Sequence, residues 1–236
     1  MNRIVIILIS LVVLLPFLSL ATDQKKESDV ELKTFADKIS YVLGQEVGGG
    51  LKNSPTNINL ELFMQGLKDS LNDQKSLLDP NEAIQIKQEF SRQYKESQAK
   101  IRAEISEKNQ QAEAAFMAEN KNIKGVVTTE SGLQYMVLKK GDGSKPTHGD
   151  TVTVHYRGAL LDGTEFDSSY ERNQPASFQV AGVIAGWTEA LQLMNVGSKF
   201  RLFIPSKLAY GKRGAGDKIG PDEMLIFDVE LLAIKN

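Results

Sequence analysis

TVTVHYRGALLDGTEFDSS, residues 151–169, opens with a strict alternation: Val152, Val154 and Tyr156 are separated by Thr153 and His155, and the run closes at Gly158. A period of two over this length predicts a strand, Thr151 to Gly158, with one buried face. The same glycine-punctuated texture recurs over Gln134 to Leu138, Ser177 to Val180, Lys199 to Ile204 and Leu225 to Ala233. Together these segments predict an antiparallel sheet. One helix interrupts them, Gly186 to Met194, where Trp187, Ala190, Leu191 and Met194 recur at helical spacing and can lie on one sheet face. The C-terminal region, residues 125–236, is therefore expected to be an α+β domain.

Upstream of it the texture is helical. Asp79-Pro80-Asn81-Glu82 combines an N-cap aspartate, a proline at the first helical position and a glutamate three residues after the cap, which predicts a capping box. Neither glycine nor proline follows from Asn81 to Ile123, so one helix of about 40 residues, about 60 Å, links the regions across residues 79–124. Its apolar residues (Ile84, Phe90, Tyr94, Ile101, Ile105, Phe116) do not sustain heptads, which favours a solvated strut over a coiled coil.

Residues 22–78 carry two further helical faces, one with Phe35, Ile39, Val42 and Leu43, the other with Leu60, Phe63, Met64, Leu67 and Leu71. Gly48-Gly49-Gly50 and the Pro55-containing stretch Lys52 to Asn59 are expected to break the chain between them, giving a helical hairpin. So small a unit buries too little apolar surface alone, and self-association would supply the missing core. At the N-terminus, one arginine precedes an apolar run from Ile4 to Leu15, followed by Pro16 and Ser19-Leu20-Ala21. This layout predicts a signal peptide over residues 1–21 cleaved after Ala21, with an uncleaved N-terminal anchor as the rival reading. Either way the rest of the chain is exported.

Composition narrows the function classes. The balance of 28 basic to 30 acidic residues gives no nucleic-acid-binding excess. The absence of cysteine excludes disulfides, thiolate metal sites and a cysteine nucleophile. His148 and His155 are too few for a metal site. The glycines at 48–50, and Gly141 and Gly143, lack the spacing of a phosphate loop or dinucleotide fingerprint. No cofactor is called for.

SGLQY, TVTVHYRGALLDGTEFDSS, VIAGWTEALQLM, GSKFRLFIPSKLAYG and IGPDEMLIFDVELL stand in the order and spacing of one family. The region from Gly125 to Lys235 resembles the FKBP-type peptidyl-prolyl cis/trans isomerases. With the long helix and helical hairpin, the chain is similar to their secreted, dimeric branch, typified by the macrophage infectivity potentiator.

The resemblance implies an antiparallel sheet half-wrapped around a short helix, with an apolar pocket for a substrate proline ring. Asp167, Tyr210 and Phe227 fall at its catalytic positions. Tyr156, Phe166, Phe178, Val183, Ile184, Trp187 and Ile219 fall at its substrate-binding positions, and Arg172 matches the basic residue that pairs with the pocket aspartate. Ala176 stands where many eukaryotic relatives carry an aromatic.

The same resemblance implies proline-containing unfolded or exported polypeptides as partners, a homodimer through the N-terminal domain, possible macrolide ligands, a periplasmic or outer-membrane location and a possible contribution to virulence. Taken singly, aromatics in a sheet domain are more often core than ligand walls. Leu133, Leu191, Leu202 and Leu231 keep that reading. A non-catalytic dimeric clamp for unfolded chains is the alternative function.

Overall fold

The computed structural model describes residues 31–235, which fall into two compact units divided between Ser54 and Pro55. The signal peptide expected over residues 1–21 lies outside the described residues.

The first unit contains α1, Phe35–Leu51. Thr34 starts it with a reciprocal cap: its Oγ1 accepts the Asp37 N–H at 3.1 Å, and its own N–H donates to Asp37 Oδ2 at 2.8 Å. The helix runs through Gly48, Gly49 and Gly50 instead of breaking there, which corrects the expected interruption. Each glycine weakens a helix by only about 1 kcal/mol relative to alanine, and none of the three takes a positive φ. The break comes after Leu51.

The second unit begins with α2, Leu60–Leu71, capped by Asn59 Oδ1, which accepts the Leu62 N–H. It continues with α3, Pro80–Asn120, 41 residues long. Asp79 caps α3 through a bond from the Asn81 N–H at 2.8 Å; the reciprocal box with Glu82 does not form. Nor is α3 a fully solvated strut. Its C-terminal turns lie on the outer face of the sheet, where the Phe116 ring stands 5.6 Å from that of Phe203 and Asn120 Nδ2 donates to buried Gln134 at 2.8 Å. The expected strut is modified only at this end, since Asn120 is the one buried residue of α3, and the polar part of the contact is one that apolar periodicity does not register.

Seven antiparallel strands follow: β1 (Val126–Thr128), β2 (Gln134–Lys139), β3 (Thr151–Leu160), β4 (Glu165–Ser168), β5 (Ala176–Gln179), β6 (Lys199–Ile204) and β7 (Leu225–Lys235). The order across the sheet is β1-β2-β6-β7-β3-β4, with β5 also pairing with β3. β1 and β4 were not expected. Val180, fully buried, opens a 3₁₀ turn instead of closing β5.

Alternation sorts the strands as predicted. Val152, Val154 and Tyr156 of β3, and Leu225, Phe227, Val229 and Leu231 of β7, point inward. Against that face lies α4, Ala185–Leu193, whose buried Trp187, Ala190 and Leu191 complete the core with Leu133 and Leu202. Each large apolar side chain so buried contributes about 1.5–3 kcal/mol. Gly186 lets the helix approach closely, since a Cβ there would stand 2.5 Å from Ile204 Cγ2.

Candidate active site

Between α4 and the concave face of the sheet is a cavity of about 450 Å³, lined by Tyr156, Phe166, Asp167, Phe178, Gly182, Val183, Ile184, Trp187, Tyr210 and Phe227. Two local devices build it. The first is a β-bulge: Asp167 pairs with Gly158 and Glu165 with Ala159, leaving Phe166 as the extra residue of β4. Successive residues of a regular strand point to opposite faces, whereas a bulge re-aims one of them, and here both Phe166 and Asp167 line the cavity. The second is Gly158, where a Cβ would meet Phe227 at 2.6 Å and Phe166 at 2.7 Å. Its missing side chain lets those rings meet edge to face, centroids 5.5 Å apart.

Trp187 sits where Tyr156, Phe178 and Phe227 converge, its ring near-perpendicular to theirs at centroid distances of 5.3, 5.7 and 5.2 Å. Such edge-to-face contacts add about 0.5–1.5 kcal/mol each beyond area burial and hold the walls rigid. The indole Nε1 is buried and has no hydrogen-bond partner among the described residues; the aromatic faces around it accept an N–H only weakly.

Polar groups concentrate at one side. The Tyr156 hydroxyl donates to Asp167 Oδ2 in a short bond, Arg172 Nη1 donates to Asp167 Oδ1 at 2.6 Å, and Arg172 Nη2 donates to the Tyr156 oxygen at 2.8 Å. The three form a closed triangle. Burial opposes ionisation of Asp167, but the bonds from Tyr156 and Arg172 and the Arg172 charge outweigh it, so its carboxyl lies below the ordinary carboxylate value. Tyr156 is pushed up, first by burial and then by its bond to Asp167. At neutral pH Asp167 is therefore an anion with both oxygens engaged, and Tyr156 is a neutral donor already committed. Neither is poised as a general base.

Nine of the predicted site residues converge on this cavity, and Arg172 supports it through Asp167. Ile219 does not line it. An antiparallel bridge with Ala215 turns Ile219 into an adjoining hollow shared with Phe166, Asp167 and Tyr210. Gly182 is the lining residue that sequence reasoning missed; as a glycine it offers the cavity only backbone.

A half-wrapped sheet closing an aromatic cavity over one short helix, with a tethered aspartate at its rim, defines a prolyl-isomerase architecture. The comparisons agree. Residues 142–232 match the FKBP-type peptidyl-prolyl cis-trans isomerase family, and residues 36–137 match the domain amino-terminal to FKBP-type peptidyl-prolyl isomerase.

The chain is 41% identical over 221 residues to the outer membrane protein MIP of Legionella longbeachae, covering 92% of this chain and 94% of the relative. It is 40% identical over 224 residues to the peptidyl-prolyl cis-trans isomerase Mip of Coxiella burnetii, covering 94% and 97%. The crystal structure of FkpA from Escherichia coli superposes with a TM-score of 0.67 at 37% identity, covering 87% of this chain and 99% of that one. The chain belongs to the FKBP-type peptidyl-prolyl cis-trans isomerases.

Proposed function

We propose that the cavity takes the ring of a substrate proline and accelerates rotation about the preceding peptide bond in exported proteins. The observation that carries this is the cavity itself: six aromatic side chains and two aliphatic ones surround one carboxylate, which is held in place by its own partners. Rotation breaks no covalent bond. Peptide-bond barriers of about 18–20 kcal/mol arise from resonance that places negative charge on the carbonyl oxygen. Moving that amide out of water disfavours its polar planar form relative to the twisted one. Each 1.36 kcal/mol removed from the barrier is about a tenfold gain in rate.

In this reading Trp187 and Phe227 floor the proline site, Tyr156, Phe166 and Phe178 wall it, and Val183 and Ile184 meet the flanking chain. Tyr210 donates to the substrate carbonyl. Asp167, fixed by Arg172, supplies an oriented negative charge beside the twisting amide.

Export, a dimer formed through residues 22–78 and a holding activity towards unfolded chains complete the proposal. Apolar residues left exposed on α1 and α2, such as Phe35 and Leu71, support the dimer, and the name of the Legionella relative supports an envelope location. A dimer would present two sites to one client and raise the effective concentration of the second. A clamp without catalysis is the competing reading, supported by the same exposed residues.

A protease-free cis-to-trans assay on an X-Pro peptide separates the two. The parent should accelerate exchange, and folded Asp167→Leu and Phe227→Ala variants should lose most of that acceleration. A folded but inactive parent leaves the clamp.

A further inference from the structure

One face of α3 reaches the isomerase cavity indirectly. Arg102, Ser106, Asn109, Gln110 and Glu113 recur at helical spacing, which places them on one side of the helix. Every one of them bonds to the segment from Ser206 to Glu223, which carries Tyr210. Arg102 Nη2 donates to the carbonyls of Lys212 and Arg213 at 2.7 and 2.5 Å. Glu113 accepts the Ser206 N–H at 2.8 Å, and Asn109 Nδ2 donates to the Pro221 carbonyl at 3.0 Å.

The central knot is Asp222. It is 6% exposed and has a φ of 51°, a left-handed conformation uncommon for a side chain with a Cβ. Its Oδ2 accepts from Ser106 Oγ at 2.5 Å and from Gln110 Nε2 at 2.8 Å, while its own N–H donates to the Gly211 carbonyl at 2.8 Å. Gly211 follows Tyr210. The helix thus grips the segment four residues before Tyr210, at Ser206, and after it, directly at Lys212 and Arg213 and through Asp222 at Gly211. Tyr210 itself lines the cavity and is 41% exposed, and its hydroxyl makes no hydrogen bond among the described residues, so the position of its side chain depends on those grips. A loop of this length with little regular structure carries a large conformational entropy, and ordering it requires bonds from outside itself.

We propose that α3 is a positioning element of the isomerase site: its 102–113 face, acting through Asp222, holds Tyr210 at the cavity mouth. The proposal rests on the reading of that cavity as the isomerase site.

The test uses the full chain carrying Ser106→Ala and Gln110→Ala together, in the parent and in a Tyr210→Ala background. Amide hydrogen exchange at Asp222 should quicken about tenfold while the amides of β3 and β7 stay unchanged. The kcat/KM for an X-Pro peptide should fall about fivefold in the parent and by less than about 1.5-fold in the Tyr210→Ala background, since residues acting through one another are not additive.

Unchanged exchange at Asp222, faster exchange without loss of catalysis, or the full fivefold loss repeated without Tyr210 would each overturn the proposal. A parent without isomerase activity sinks the reading of the cavity instead, and the exchange measurement then decides alone whether α3 holds the loop. If the double variant does not fold, Arg102→Gln loosens the exposed end of the same face, with exchange read across Gly211 to Arg213.

Discussion

The sheet domain and the helices α1 and α2 treat their apolar residues in opposite ways. In the sheet domain Leu133, Val154, Leu202, Leu225 and Leu231 are each at most 1% exposed, whereas Phe35 is 81%, Leu71 75% and Leu60 69% exposed. The exposed set sits on helices capped by Thr34 and Asn59, so the contrast does not reflect poor local structure. It shows that the sheet closes a core within one chain, while the helices present faces that only another surface can cover. The family's amino-terminal domain matches this region, and the dimer proposed above would supply the covering surface.

The most disruptive way to break this contrast is Trp187→Ala. It removes the ring on which three others converge and should cost about 3–5 kcal/mol of stability, read by chemical denaturation, together with nearly all isomerase activity. Leu67→Glu with Leu71→Glu should do the reverse. It should convert a dimer to a monomer in sedimentation while moving the denaturation midpoint of the sheet domain by less than about 0.5 kcal/mol equivalent. A monomeric parent would end the dimer assignment.

Asp167→Leu should lower kcat/KM by about tenfold, about 1.4 kcal/mol of transition-state stabilisation, with little loss of stability because the carboxylate's side chain is 42% exposed and its ion pair is screened. Equal turnover in the folded variant would remove Asp167 from the site's chemistry.

The smallest effect concerns pH. Asp167 is depressed below its ordinary 3.8, so its contribution is present above that value and is lost only as pH falls through the lower folded value. Tyr156 is raised above 10.0, so its contribution is complete below 10 and is lost only as pH rises through the higher folded value. Turnover should therefore vary less than about twofold between about pH 5 and 9. A bell centred near neutrality would point to an acid or base absent from this account.

Much of the sheet was legible because alternation is a local signal: β3, β6 and β7 fall where Val152-Thr153-Val154 and similar runs place them. The cavity residues were legible only through the family resemblance, since nothing about Phe166 or Tyr210 alone separates a pocket wall from core. What escaped did so for physical reasons. The bulge at Phe166 interrupts the alternation that would have revealed β4. The docking face of α3 is built from Arg102, Ser106, Asn109, Gln110 and Glu113, so a search for apolar stripes passes over it. Helix through Gly48 to Gly50 was unexpected because glycine's cost is small enough for a well-capped helix to absorb. Ile219 stands in the adjoining hollow beside Phe166, Asp167 and Tyr210, next to a bridge between two short segments that has no sequence mark.

The extra residue at Phe166 also counts. Because β4 holds one residue more than its partner between Glu165 and Asp167, ring and carboxylate reach the same cavity from adjacent positions. Losing a single residue between Thr164 and Ser168 would restore a plain ladder and carry one of the two to the far side of the sheet. Length in this short stretch is therefore under tighter constraint than composition, and a lineage could exchange side chains here more readily than it could shed one.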